Sequence, residues 1–284
     1  MNFETKSRKK FERTAMDRRE FLEKVAELAG GTAAAAALLP VLAGGGDSPQ
    51  VVPKDDPRLE TGYIKYPIES GEMRAYQARP KGAGKLAGVI VIHENRGLNP
   101  HTEDIARRAA LEGFVAIAPD ALTPFGGTPE NPDEARSLIQ KLDRDANTKN
   151  FVAAVAYLKT HPQATGKVGC MGFCWGGGVT NQVAVHAPDL TAAVPFYGIQ
   201  PAPEDVPKIK AAMLIHYAGD DKRINAGIPA FEEELKKAGI ECTIHMYEGA
   251  GHAFLNDTGP NYNKEAADLA WRRTIAFLKE KLKP

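Results

Sequence analysis

Residues 87–93, read AGVIVIH, form an unbroken β-branched run with no polar alternation, so they suit a strand buried on both faces. A strand of that kind needs helices on either side, and the sequence supplies them. Asn99 and Pro100 open a helical segment that Gly113 closes, with Ile105 and Ala109 on one face. Residues 114–119 (FVAIAP) make the next buried strand. One or two helices over 131–161 and a strand over 166–171 follow. After them come a helix over 175–186, strands over 192–197 and 211–217, a helix over 228–238 and a strand over 241–247. A last helix from about 263 to 282 carries Ala267, Trp271, Ile275, Leu278 and Leu282 as an apolar stripe. Upstream, 62–67 and 73–79 read as a hairpin around Glu69-Ser70-Gly71-Glu72. The alternation predicts an α/β fold: a mostly parallel central sheet of about eight strands, helices on both faces and an N-terminal antiparallel hairpin.

At the centre of this pattern stand residues 167–178, KVGCMGFCWGGG, a short strand entering a glycine turn and then a helix. Gly172-Phe173-Cys174-Trp175-Gly176 is a G-x-C-x-G turn, the layout of a nucleophile elbow with cysteine in place of serine. The turn is tight and its middle residue strained. Bulk two residues to either side would strike the neighbouring strand and helix. In open α/β sheets ligands sit beyond the carboxyl ends of the strands, where Cys174 falls. The helix N-terminus behind it favours a thiolate, the species that attacks. Taken alone, the motif also suits a packed turn around a buried cysteine.

A thiol that attacks an acyl group needs a base, an orienter for that base and donors for the oxyanion. Of the seven histidines, His252 in GAGHAF (249–254) follows the last expected strand and shares an edge with Cys174. His216 and His245 fall inside strands, and His161 and His186 at helix ends, positions that suit structural or solvated residues. The strand over 211–217 leads into Gly219-Asp220-Asp221, and either aspartate can orient the base. Cysteine, aspartate, histidine in that order is the chain order of the α/β-hydrolase fold.

Charge narrows the partners. The 36 basic and 36 acidic residues cancel, and no dense basic stretch lies beyond residue 24, which argues against nucleic acid and for a small molecule. An apolar content of 43% is enough for a large core. Cys170, Cys174 and Cys242 are too few for a disulfide framework. A rival reading pairs Cys170 with Cys174 as a redox or metal site, although Cys170 lies in an expected buried strand. Another is a non-catalytic binding protein on the same fold. His93-Glu94 is no zinc site, because Gly97 stands where an H-E-x-x-H motif needs its second histidine.

The first 43 residues differ from the rest. Arg18-Arg19-Glu20-Phe21-Leu22 follows a basic lead, and 30–43 (GGTAAAAALLPVLA) is mildly apolar and alanine-rich, which resembles a twin-arginine export signal cleaved after Ala43. The run is too short and too poor in large side chains to span a bilayer. The expectation is a chain exported folded, by the export machinery, to the periplasm or beyond; an uncleaved leader would leave it cytoplasmic. Residues 44–60, polar and proline-rich, read as an extended linker, and 61–284 as one catalytic domain. The mature domain is expected to be a monomer without membrane association.

Several runs resemble the dienelactone hydrolase family, the carboxymethylenebutenolidases. They are GFCWGGG around Cys174, His93-Glu94-Asn95-Arg96-Gly97-Leu98-Asn99-Pro100, Ala118-Pro119-Asp120, Phe196-Tyr197-Gly198 and Gly251-His252-Ala253-Phe254. The resemblance implies a Cys174, Asp221, His252 triad, with Asp221 fixed by the family's G-x-D-x-x-[VI] pattern ending at Ile224 and Asp220 in reserve. It implies that Glu94 holds the resting thiol until substrate releases it as thiolate, and that the Asn95 and Trp175 N–H groups take the oxyanion. The family binds a substrate carboxylate with two arginines, one of them four residues past the histidine. Asn256 occupies that position here, which leaves Arg136, Arg96 or Arg223 to supply the charge and Tyr197 as a further substrate contact. The implied activity is cysteine-dependent hydrolysis of small esters or lactones through a thioester, without cofactor or metal. Dienelactone leads as substrate, and a broader carboxylesterase is the alternative.

Overall fold

A computed structural model describes residues 50–283. The twin-arginine-like leader and residues 44–49 lie outside the described residues. Eight strands make one sheet: β1 (Leu59–Ile68), β2 (Gly71–Pro80), β3 (Leu86–Ile92), β4 (Val115–Pro119), β5 (Ala164–Phe173), β6 (Ala192–Phe196), β7 (Ala212–Ala218) and β8 (Cys242–Tyr247). Their order is β1-β2-β4-β3-β5-β6-β7-β8. β1, β2 and β4 pair antiparallel and all other neighbours parallel, as the strand–helix alternation requires. The helices are α1 (Pro100–Leu111), α2 (Pro132–Ile139), α3 (Arg144–Thr160), α4 (Trp175–His186), α5 (Lys222–Asn225), α6 (Ile228–Lys237) and α7 (Lys264–Lys281). None among the described residues is long and apolar enough to cross a membrane.

The period-two geometry of the strands divides the core in two. Ile90 and Ile92 of β3 enter one apolar cluster with Phe151 of α3, Val183 of α4 and Leu235 of α6. Val89 and Val91 point the other way, into a cluster with Ile105 of α1 and Ile275 and Leu278 of α7. The β-branched run was therefore covered on both faces because each alternate residue has its own helical layer. Asn99 caps α1 by accepting the Thr102 N–H at 3.0 Å, with Pro100 in the first turn.

Two sequence expectations shift. β5 runs on past Met171 to Phe173, because Gly172 pairs with Ile92 and Phe173 with Phe196, and this delivers the ladder directly to Cys174. The region read as an extended linker is held at residues 50–52 by contacts with α1. Asp104 of α1 accepts the N–H groups of Val51 at 3.0 Å and Val52 at 2.8 Å, while buried Arg107 donates to Val52 O at 2.8 Å and Gln50 Oε1 at 2.6 Å. The backbone groups of this extended segment pair with charged side chains of the helix.

Candidate active site

Cys174 sits at φ 55, ψ −114, between β5 and α4, a left-handed conformation that costs energy for a side-chain-bearing residue. Its flanking glycines make the turn possible. A Cβ on Gly172 would come within 2.3 Å of Gly176 O, and one on Gly176 within 2.3 Å of His93 O, so helix and strand do press on both positions. The backbone presents the sulfur at the carboxyl edge of the sheet.

Two loops bring partners to it. Beyond β7, Asp221 caps α5, its Oδ1 accepting the Ile224 N–H at 3.3 Å. Beyond β8, the loop carrying His252 is tied to the first by Asp220 N donating to Ala250 O at 3.1 Å. His252 then stands between the other two side chains: Nδ1 lies 2.5 Å from Asp221 Oδ2 and Nε2 lies 2.9 Å from Cys174 Sγ. Asp220 is exposed, whereas Asp221 is buried, which separates the two aspartates that the sequence left open. The other histidines stay outside this chain of contacts. His216, for example, is buried between Tyr247 Oη at 2.9 Å and Thr274 Oγ1 at 3.0 Å.

The resting thiol that the family resemblance implies, rather than the thiolate that the helix N-terminus favours, fits the electrostatics around Sγ. Burial pushes its pKa up to about 11, the negative charge of Glu94 adds to the rise, and the Trp175 N–H and Arg223 only partly oppose it. Glu94 bears on the thiol through its charge. Its Oε2 accepts the Asn256 Nδ2–H at 2.7 Å, and the thiol's partner is His252, so the glutamate does not hold the thiol by a hydrogen bond. Asn256 in turn accepts from Thr258 N at 3.0 Å and Thr258 Oγ1 at 2.7 Å. This role for Asn256 escaped the sequence, where it registered only as a missing arginine.

The loop after β3 that carries Glu94 and Asn95 is braced from behind. His93 is buried and stacked on Trp175 at 5.3 Å; its Nδ1–H donates to Glu94 O at 2.6 Å and its Nε2 accepts the Ala121 N–H at 3.2 Å, which fixes a neutral ring. Burial lowers its pKa accordingly. Buried Asp120 accepts from Thr128 Oγ1 at 2.7 Å, and that oxygen accepts the Leu98 N–H at 2.9 Å. Gly97, at φ 76, passes so close that a Cβ there would meet Thr128 Oγ1 at 2.2 Å.

Among the substrate-binding candidates, Tyr197 is fully buried with its ring 5.1 Å from His252. Arg96 and Arg136 are exposed, the latter on the outer side of α2, whose Ala135 and Ile139 face the core. Arg223 is the arginine whose charge lowers the thiol's pKa. Cys170 is fully buried and free, 3.7 Å from Thr180 Oγ1, and burial pushes its pKa up to about 12.

A side chain held in a left-handed turn between a parallel strand and the next helix, with acid and histidine on the following loops, marks an α/β-hydrolase. The comparisons narrow the class. Residues 73–282 match the dienelactone hydrolase family. A protein of Saccharolobus solfataricus named "Putative carboxymethylenebutenolidase" is 36% identical over 252 residues, covering 76% of this chain and 97% of that one. A protein of the same name in Escherichia coli K12 is 32% identical over 246 residues, covering 81% and 90%. The crystal structure titled as a putative dienelactone hydrolase from Klebsiella pneumoniae has a TM-score of 0.72 at 29% identity, covering 78% of this chain and 99% of that one. The chain belongs to the dienelactone hydrolase family, and it is a carboxylic ester hydrolase.

Proposed function

We propose that the protein hydrolyses small carboxylic esters or lactones with Cys174 as nucleophile, His252 as base and Asp221 as orienter. The observation that carries this reading is the continuous contact from Sγ through both imidazole nitrogens to the buried Asp221 carboxylate. Because the resting thiol is neutral, His252 Nε2 takes its proton as the sulfur attacks the carbonyl carbon. The oxyanion is met by the N–H groups of Trp175 and Asn95. Collapse expels the alkoxide, which takes the proton from His252, and leaves a thioester. Water, deprotonated by His252, attacks the thioester; the acid departs and the thiolate recovers its proton. Asp221 holds His252 Nδ1 protonated throughout and stabilises the imidazolium.

Carboxymethylenebutenolide, the lactone in the relatives' names, is to be tested beside a nitrophenyl ester. The wild type is expected to hydrolyse one or both, Cys170→Ala to match it, and Cys174→Ala to lose at least about a thousandfold in kcat. Full activity in Cys174→Ala would sink the mechanism. We further propose that residues 1–43 direct export. The mass of the mature N-terminus from cells tests that, and an intact Met1 counts against it.

A further inference from the structure

Asp257 follows Asn256 directly, five residues past His252, and takes no part in the chemistry above. Its carboxylate is nevertheless gripped by a helix 149 residues away in the chain. Oδ2 accepts from Arg108 Nη2 of α1 at 2.5 Å, and Oδ1 lies 3.1 Å from His101 Nδ1, a contact without the alignment of a hydrogen bond. Arg108 is fixed in its turn. Its Nε donates to Asp104 Oδ2 at 2.9 Å, and Asp104 also accepts the N–H groups of Val51 and Val52. The Arg108 and Asp257 side chains are only 17% and 16% exposed, so they do not form the solvated surface pair that contributes little.

The loop they anchor needs holding. Ala253, next to His252, sits at φ 68, in the left-handed region that costs energy for a residue with a Cβ. Backbone strained in this way persists only where its surroundings over-determine it. Inside the loop, Asn256 N donates to Ala253 O at 3.0 Å and Asn261 Nδ2 donates to His252 O at 2.9 Å. Phe254 and Leu255 are buried in the core. That apolar contact fixes depth but has no direction, whereas a charge-assisted bond to a fixed guanidinium has one. Of residues 253–257, the two with polar side chains reach out of the loop. Asn256 ties it to Glu94, and Asp257 ties it to α1, the helix into which the Glu94 loop runs.

We propose that Arg108 and Asp257 are a positioning pair, which holds the loop after β8 against α1 and so sets His252 on the Cys174 sulfur and Asn256 on Glu94. This rests on the hydrolase reading above and adds to it two residues that touch no substrate. Proton transfer from Sγ to Nε2 works only within hydrogen-bond reach, so a loop that drifts by about 1 Å loses rate rather than affinity.

The test measures kcat and KM on a nitrophenyl ester for the wild type, Arg108→Ala, Asp257→Ala and the double variant, per folded molecule as judged by urea unfolding. Each single substitution should lower kcat by about tenfold to a hundredfold with KM within about twofold. The double variant should lose about as much as the worse single, because either change opens the same link. Alkylation of Cys174 by iodoacetamide, read on its peptide by mass spectrometry, should slow in step, since it needs His252 to take the thiol proton and needs no ester. Should the alanine variants fail to fold, Asp257→Asn decides: it keeps the shape, loses the charge and should cost at least about threefold in both rates. Full kcat and full alkylation per folded molecule, a rise in KM alone, or a double variant whose loss multiplies the two single losses overturns the proposal and leaves the hydrolase reading in place. A wild type that turns over no ester, or a Cys174→Ala variant that keeps its turnover, removes the hydrolase reading, and the alkylation rates then still decide whether the pair positions His252.

Discussion

Asn256 Nδ2 donates to Glu94 Oε2 at 2.7 Å, joining the loop after β8 to the loop after β3 across 162 residues of chain. The bond sets which way the Glu94 carboxylate faces and leaves Oε1 without a hydrogen-bond partner among the described residues.

Replacing Asn256 by aspartate puts two carboxylates in contact. Each is then harder to ionise in the folded state than in the unfolded chain, so the penalty is complete at neutral pH and fades as pH falls through the raised folded pKa. Urea unfolding should show Asn256→Asp less stable than wild type by at least about 2 kcal/mol at neutral pH, with the gap narrowing toward pH 4. A gap that ignores pH would mean the two side chains are not in contact.

The raised thiol pKa gives a second pH signature. The neutral thiol is the form that folding favours, so its stabilisation is whole below the ordinary pKa of 9.0 and is lost as pH climbs through about 11. Relative to Cys174→Ala, the wild type should lose stability across that window. Glu94→Gln should bring the thiolate absorbance of Cys174 in at lower pH. Cys170 and Cys242, pushed up to about 12 by burial, are expected to titrate later.

Asp221→Asn keeps the shape of the site but not the tautomer of His252. It should lower kcat by about three to four orders of magnitude with KM little changed, read from steady-state kinetics on a nitrophenyl ester. Asp220→Asn, at an exposed carboxylate, should leave kcat within about twofold.

Gly176→Ala drives a methyl group to 2.3 Å from the His93 carbonyl, a backbone atom that cannot rotate aside. The expected loss is about 3 kcal/mol in urea unfolding, with activity falling as the elbow and the Glu94 loop are forced apart.

How far the sequence reveals this depends on how local each cause is. The run AGVIVIH and the capped α1 carry their structure in a handful of adjacent residues, and the strand–helix alternation followed from them. The order Cys174, Asp221, His252 was visible because each residue lies on the turn or loop that leaves a strand's carboxyl end. The state of the thiol was legible only through the family resemblance, which implies a resting thiol. A helix N-terminus is a local feature that argues for thiolate, while the burial and Glu94 charge that outweigh it arise only once distant segments pack. The bracing of Glu94 by Asn256 and the exposed placement of Arg136 likewise depend on loop contacts that no spacing encodes. Residues 50–52 read as linker because their partners, Asp104 and Arg107, look like solvent-facing charges of a helix.

Arg107 is among the largest fully buried side chains, and a guanidinium cannot shed its charge. Its Nε and one Nη are satisfied by Val52 O and Gln50 Oε1, the other Nη by Tyr76 Oη. This fixes a boundary for anyone cutting or fusing the protein. Additions ahead of Gln50 leave the guanidinium's ligands in place, as would cleavage after Ala43. A truncation beginning at Pro53 strips away two of them and leaves a permanent cation inside the fold with only Tyr76 Oη and the Asp104 carboxylate, 3.6 Å away, to meet it.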